Sequence, residues 1–459
     1  MRYLLINPAD LERRMFGFLQ PQGLGYLATS LRMNNFEVDI IDAAKENLSP
    51  YEIARKVKER KYDVVGFYVL SPLIRSVRMY SDEIKRKSPN TIIVAGGPHP
   101  TFEPEHTLRS SSSIDLACIG DGEEAITKIS SGIQDTPNIA WRQDGKIIIN
   151  HRTFVDINKY PMPAWDIIKP DSYPPLPIGI FSEKKRICQI ITTRGCPYPC
   201  SFCGVPNISG KSMRVRKIEY ILSEINLLIS EFGIEEIHII DDNITAAPRN
   251  WLIELLESLA REKFPVRFAL PSGIRIDLID EHILNLMWKA RFYAFAIGIE
   301  SSNQKTLDEM KKKLKIQKVI DKLMVAKKYD FHIQGNFIIG YPTESITENL
   351  RTVLFSLSLP IKKAGYFIFN PFPGTDEWEK IKKRYQIDQW EMIISSFNLY
   401  RISRFVERKT SRIALRLIQV LAYFLFYIRP SYLFKNIRKL KSFHQIKVIF
   451  RIIFSMITG

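Results

Sequence analysis

The sequence predicts an α/β protein in which a doubly wound parallel sheet is followed by a partial (β/α)6 barrel and a helical C-terminal extension. Three observations predict it. Residues 1–135 alternate short β-rich runs with helical patterns, residues 186–375 do so again, and an irregular Pro-rich stretch, 136–185, separates the two. A chain of 459 residues is long enough for two or three such units. The expected divisions are therefore 1–135, 136–185, 186–375 and 376–459.

In the first series RYLLIN (2–7), VDIID (38–42), DVVGFYVL (63–70), TIIVAGG (91–97) and IDLACIG (114–120) read as strands. Helical patterns at 22–34, 51–60, 73–87, 103–111 and 122–131 connect and follow them. Open sheets of this kind bind ligands outside the carboxyl ends of their strands. Those ends carry Asn7-Pro8, Ser71-Pro72, Gly96-Gly97-Pro98-His99 and Gly120-Asp121-Gly122-Glu123, with glycines where a bulky flat ligand needs close backbone approach. The Pro-rich stretch contains IAWRQDGKIIIN, a hairpin turning at Asp144-Gly145.

The second series runs CQIITTR (188–194), helix 217–232, IEEIHIIDD (234–242), helix 249–261, VRFALPSGIRID (266–277), helix 279–289, FYAFAIGIES (292–301), helix 303–329, HIQGNFIIGYP (332–342), helix 346–358 and KAGYFIFNPFPGT (363–375). Six strand–helix units form a barrel lacking two of its eight repeats. Its strand ends gather Arg194, Asp241-Asp242-Asn243, Arg275 and Asp277, Glu300-Ser301 and Gly340, on the face where barrels do their chemistry.

Between the first strand of that series and its helix stands TTRGCPYPCSFCGVP, with Cys196, Cys200 and Cys203 spaced C-x3-C-x2-C and Phe202 before the last. Three thiolates can hold three corners of a cubane cluster and leave one iron open, whereas structural zinc takes four closed ligands. No fourth ligand is apparent, and Cys118 and Cys188 read as buried strand thiols.

The run R-G-C-P-Y-P-C-S-F-C resembles the cluster loop of the radical S-adenosylmethionine (SAM) superfamily. The resemblance implies a [4Fe-4S] cluster on the three cysteines, with SAM on the open iron and cleaved reductively to a 5′-deoxyadenosyl radical. Downstream, IIDDNIT (239–245), GIRID (273–277), GIESS (298–302) and GNFIIGYPTES (335–345) are similar to the family's SAM-contacting strand ends. By that likeness Phe202, Asp241, Asp242, Asn243, Arg275, Glu300, Ser301 and Gly340 are the expected SAM neighbours.

PQGLGYLATSLRMNNFEVDIIDA (21–43), VVGFYVLSP (64–72), VAGGPHPTFEPE (94–105) and IGDGEEA (119–125) look like the cobalamin-binding domain that precedes the barrel in the class B methylase-like members. The two resemblances cover about 1–375. They imply cobalamin contacts at Gly23, Tyr68, Ser71, Gly96, Gly97, Pro98, His99, Gly120, Gly122 and Glu123. NPADLERRMFG replaces the D-x-H-x-x-G motif of methionine-synthase-type domains, so no protein histidine is expected on cobalt. His99 reads as a loop or nucleotide-tail residue. The S-x-L signature reads Tyr68-Val69-Leu70, leaving Ser71 as the substitute serine.

Plainer readings stand beside these. Asp241 and Asp242 would also serve as helix caps, and Arg275 and Asp277 would also pair with each other. Glu300 ends a very apolar strand, where a carboxylate requires a ligand or a cation. Tyr198, Tyr341 and Tyr366 are candidates for supporting positions around the site.

Composition bounds the rest. Hydrophobic content of 45% with 25% charged residues excludes a disordered chain. Five cysteines, odd in number and clustered, point to a reducing, cytoplasmic setting rather than a disulfide framework. MRYLLINPAD lacks the pattern of a signal peptide, and no run offers the ~20 apolar residues of a spanning helix. Of the net charge of +17, residues 401–459 contribute +12, with thirteen Lys/Arg against Glu407. The excess therefore belongs to the tail and does not suggest nucleic acid. Residues 412–430 and 437–457 read as basic amphipathic helices, suited either to the cytoplasmic face of a membrane or to packing on the barrel.

The expected activity is hydrogen abstraction from an unactivated carbon followed by methyl transfer from methylcobalamin to a small-molecule or lipid-like substrate. An external donor such as ferredoxin or flavodoxin would supply the electron. Ring formation or oxidation on a lipid or tetrapyrrole is the alternative, and a non-catalytic cobalamin binder with a structural cluster the remote one. Methylthiotransferases fit poorly, because the amino-terminal domain lacks cysteines for a second cluster.

Overall fold

The computed structural model describes residues 1–11, 19–174, 182–385 and 406–429. It divides into two compact units: residues 1–197 with 204–268, and residues 198–203 with 269 onward.

The first unit contains β1 (Arg2–Asn7), β2 (Glu37–Asp42), β3 (Val64–Tyr68), β4 (Ile92–Gly96), β5 (Leu116–Cys118), β6 (Ile139–Gln143) and β7 (Lys146–Ile149) in one sheet, ordered β2-β1-β3-β4-β5-β6-β7. The first five strands are parallel, as predicted. Leu4, Leu5 and Ile6 of β1 are fully buried, the continuous apolar run that a strand covered on both faces requires. Helix Gln22–Met33 buries Leu24, Ala28 and Leu31 in the core shared with Tyr3, Val64, Val94 and Leu116. Ser49 and Glu52 close a capping box at the start of helix Pro50–Arg60. Strand order reverses about β1, with β2 on one side and β3 on the other, so the switch-point crevice opens at their carboxyl ends.

The hairpin expected in the linker is the edge of this sheet. β6 pairs antiparallel with β5 and with β7, and Asp144 (φ 49°) and Gly145 (φ 74°) make the tight turn. Burial of Ile139, Ala140 and Trp141 draws it in. The helix expected over 122–131 is reduced to one tight turn, Ile126–Lys128. The unit also holds β8 (Ile187–Ile190), β9 (Thr193–Arg194), β10 (Arg214–Val215) and β11 (Glu236–Ile239), with β8 parallel to β11 and β9 antiparallel to β10.

The second unit holds most of β12 (Arg267–Ile274), then β13 (Phe292–Glu300), β14 (His332–Ile339) and β15 (Lys363–Ile368), in the order β15-β14-β13-β12. β13 and β14 are parallel, with a register shift between Gly298 and Glu300 that turns the end of β13. The single helix expected over 303–329 is broken. Gln304–Glu309 and Ile316–Ala326 flank a turn in which Lys311 (φ 52°) and Lys313 (φ 51°) adopt left-handed backbone. Helix Arg412–Tyr427 packs on β15 and on helix Ile346–Ser358. The second tail helix expected, 437–457, lies outside the described residues. Among the described residues no helix is long and apolar enough to cross a membrane.

Candidate functional site

In the first unit a cavity of about 290 Å³ opens at the strand ends. Gly23, Tyr68, Gly96, Gly97, Pro98, Gly120, Gly122 and Glu123 line it, together with Leu27, Thr101, Cys118, Asp121, Arg194, Asp241 and Asp242. Gly97 has φ 105°, and a Cβ there would meet the Tyr68 ring at 3.0 Å, so only glycine leaves this wall flat. The Thr101 hydroxyl donates to Gly97 O (2.7 Å) and accepts from Gly120 N–H (2.9 Å), which ties the two glycine turns together. Burial pushes the Cys118 thiol up to about 12, so it stays protonated. Burial likewise raises Tyr68 to about 12.

Ser71 and His99 are not among the lining residues. Ser71 Oγ lies 3.1 Å from His99 Nδ1, and His99 Nε2 lies 3.0 Å from His106 Nδ1. Burial, helped by His106, takes His99 down to about 3, so the His99 imidazole is neutral, and its two hydrogen bonds brace the turn after β3. Thr101 and Arg194 were not anticipated as lining residues; Arg194's place beside the cysteines was the available signal.

The amino half of the cysteine loop is fastened within the same unit. Asp241 accepts from Thr192 N–H (2.6 Å), Thr192 Oγ1 (2.5 Å) and Thr193 Oγ1 (2.8 Å), while Asp242 accepts from Gly195 N–H (2.9 Å). These aspartates do not cap the next helix, whose N-cap is Pro248. Burial raises Asp241 to about 6 against the pull of those donors. Asn243 Nδ2 lies 3.7 Å from Cys196 Sγ and donates to it. Gly195 has φ 103°, and a Cβ there would fall 2.3 Å from Ser212 O. Arg194 pairs with Glu123 (2.7 Å) and Asp121 (3.3 Å) and faces the Tyr26 ring at 5.1 Å; Asp121 also binds Arg214 at 2.5 Å. Burial alone would lower the Arg194 pKa, but the two carboxylates outweigh it and hold the guanidinium above its ordinary value.

The carboxyl half belongs to the second unit. Ser201 N–H donates to Met310 O (2.9 Å), Cys203 N–H to Cys200 O (3.1 Å), and Ser201 Oγ lies 3.3 Å from the Tyr341 hydroxyl. The Arg275 guanidinium stacks on Tyr198, 3.8 Å from the ring centre. It pairs with Asp277 through two bonds and donates to Lys312 O (2.6 Å) and Lys313 O (2.9 Å). The cation that Glu300 needs is Lys312, whose Nζ lies 2.7 Å from Glu300 Oε1 and 5.7 Å from the centre of the Phe202 ring. Burial would lower Lys312, and Glu300 more than restores it. No motif announced Lys312, which sits in a Lys-Lys-Lys run that reads as helix surface. Ser301 Oγ donates to Glu344 (2.7 Å), and Gly340 faces Leu415 of helix Arg412–Tyr427, where a Cβ would fall 2.5 Å from that side chain. Tyr341 donates to Glu377 (2.9 Å), and Tyr366 bonds Ser356 (2.5 Å).

None of the three loop cysteines is in a disulfide, and all three are of intermediate burial. Among the described residues no group of three or more His, Cys, Asp or Glu converges on a point for a single metal ion. The C-x3-C-x2-C spacing offers one thiolate to each of three irons of a cubane cluster and leaves the fourth iron open, so the donor chemistry fits such a cluster. The flat glycine-framed wall and apolar lining of the cavity fit a broad planar ligand with polar edges.

Comparison with known proteins agrees with this division of labour. The B12 binding domain family matches residues 14–130, and the Radical SAM superfamily matches residues 190–355. An uncharacterized methyltransferase of Pyrococcus horikoshii is 28% identical over 452 residues, covering 95% of each chain. The anaerobic magnesium-protoporphyrin IX monomethyl ester cyclase of Rubrivivax gelatinosus is 24% identical over 406 residues, covering 85% of this chain and 72% of its own. The fold is shared with the radical S-adenosylmethionine methyltransferase TsrM from Kitasatospora setae, solved with cobalamin and a [4Fe-4S] cluster bound. That likeness has a TM-score of 0.69 at 17% identity and covers 83% of this chain and 78% of that one. With a B12 binding domain and a radical SAM domain in one polypeptide, the chain belongs to the cobalamin-binding radical SAM enzymes.

Proposed function

We propose that the protein is a cobalamin-dependent radical SAM C-methyltransferase acting on an unactivated carbon of an apolar, lipid-like small molecule. One observation carries the reading: within a single unit, the glycine-framed cavity is walled partly by Arg194, Asp241 and Asp242, the residues that fasten the amino half of the cysteine loop. A cofactor in that cavity would therefore lie against the residues that present Cys196. The P. horikoshii relative, matched over nearly its whole length, carries the name methyltransferase.

Cys196, Cys200 and Cys203 would hold the cluster, and Tyr68, Gly97, Gly120 and Gly122 would frame cobalamin. When bound, these groups supply an electron for cleaving SAM and a transferable methyl group. The chain's part is to position and to dry the site. Arg275 and Lys312 set fixed positive charge beside Tyr198 and Phe202, where an amino-acid carboxylate would be welcome. The fully buried run from Tyr293 to Ile297 in β13 supplies an apolar wall that would protect a radical from water. In this reading the electron comes from a ferredoxin- or flavodoxin-class protein, and the enzyme works in the cytoplasm with peripheral membrane contact through its C-terminal region.

A second reading is ring closure, which the cyclase relative favours. Anaerobic incubation of the reconstituted protein with SAM, cobalamin, reductant and a lipid extract separates the two by product mass. A product heavier by one CH2, with 5′-deoxyadenosine beside it, is expected. A product lighter by two hydrogens would move the assignment to ring closure, and absence of 5′-deoxyadenosine would overturn both readings.

A further inference from the structure

Helix Arg412–Tyr427 is apolar on both sides. Its inner side packs: Leu415, Ile418, Ala422 and Phe426 are buried, and Gln419 Nε2 donates to Tyr366 O (2.7 Å). The opposite side carries Ile413, Leu417, Leu421 and Phe424, with Ile428 just beyond the last turn, each between 41% and 76% exposed. Spacings of four, four, three and four residues put these side chains on one stripe, ~22 Å long at 1.5 Å per residue. No charged residue interrupts it. A helix at a protein surface normally turns a polar face to water, and one that is apolar all round is covered on both sides.

We propose that this stripe docks on an anionic lipid surface. The charge of the surrounding sequence selects that occupant. From Arg408 to Gly459 the chain has eleven Lys/Arg and no Asp or Glu, and Lys409 and Arg412 beside the stripe are exposed. A second copy docked stripe to stripe would bring two such acid-free segments together, which like-charge repulsion opposes. A bilayer with anionic headgroups offers apolar depth to Leu417 and Phe424 and negative charge to the basic flank. Orientation follows: docked this way, the inner side of the helix still holds β15, so the helix would stand between the bilayer and Tyr366 of the second unit. The inference gives a surface to the peripheral contact in the reading above. Its test needs no cofactor or turnover, so its failure would leave the radical chemistry standing.

The test is co-sedimentation of the full chain with vesicles of phosphatidylcholine containing one-third phosphatidylglycerol, against phosphatidylcholine alone. Binding to the anionic vesicles is expected to be at least ~10-fold tighter than to the neutral ones. Leu417→Glu with Phe424→Glu should weaken it by ~10-fold or more, and Leu417→Ser with Phe424→Ser by less, with near-UV circular dichroism unchanged. No binding to anionic vesicles, or equal binding by the glutamate variant, would overturn the proposal. So would a dimer in sedimentation velocity that the same variant dissolves, since the stripe would then be covered by a second copy.

Discussion

The two halves of the cysteine loop are held by opposite chemistry. Around Arg194–Cys196 the anchors are carboxylates: Asp242 takes the Gly195 N–H, Asp241 takes the threonines before it, and Glu123 and Asp121 take the Arg194 guanidinium. Around Tyr198–Cys203 the anchors are cations on aromatic faces: Arg275 on Tyr198, and Lys312 near Phe202. The amino half is thus held through hydrogen bonds to its backbone within the first unit, and the carboxyl half carries fixed positive charge on its own aromatic rings within the second, a potential that would favour thiolates at Cys200 and Cys203.

The largest effect should come from removing what both halves serve. Replacing Cys196, Cys200 and Cys203 together by alanine should cut iron and sulfide after anaerobic reconstitution by more than ~90% and abolish 5′-deoxyadenosine formation. Retained SAM cleavage would break the comparison at its root. Next comes the carboxyl half. Lys312→Met leaves Glu300 buried beside no ammonium and should cost ~3–5 kcal/mol in denaturant unfolding. Lys312→Met with Glu300→Gln should recover much of that loss, because the uncompensated charge goes with its partner. The amino half should respond less. Arg194→Met strips Glu123 of a partner, yet Arg214 still holds Asp121, so ~1–3 kcal/mol is expected by the same measurement. If Arg194→Met costs more than Lys312→Met, the ranking of the halves is reversed.

The difference in legibility follows the same line. Asp241, Asp242 and Asn243 were legible as strand-end residues, since strand ends in this architecture face the site, but they were expected beside SAM or as helix caps, and their bonds to Thr192, Thr193 and Gly195 were not foreseen. Glycines at 97, 120 and 122 were readable because positive φ at the first two and close approach at the third leave few alternatives. Lys312 was not readable, since its position depends on the broken helix and on left-handed Lys311 and Lys313, conformations that lysine does not advertise. Ser71 and His99 were placed near the right strands, but two imidazoles and a hydroxyl satisfy one another away from the cavity. Gly340 meets Leu415, a contact set by a helix seventy residues on. The hairpin's turn was clear from Asp144-Gly145, while its partner strand β5 is a long-range pairing that no local pattern encodes.

The smallest effect predicted lies behind the carboxyl half, in the carboxylate that holds Ser301. Glu344 is 1% exposed and accepts from Ser301 through one oxygen. Burial raises its pKa from 4.5 to about 7, against the pull of Ser301 and Thr306. A raised folded value means that the group's contribution is complete below pH 4.5, where Glu344 is protonated folded or unfolded, and is lost as pH rises through about 7. Unfolding free energy should therefore fall by at most ~1.4 kcal/mol for each pH unit within that window from this group alone. Glu344→Gln keeps an acceptor for Ser301 and cannot ionise, so denaturant melts at several pH values should show a flatter profile and a more stable variant above neutrality. An unchanged slope would mean that Glu344 is ionised in the folded protein, and that the end of β13 needs a second cation beyond Lys312.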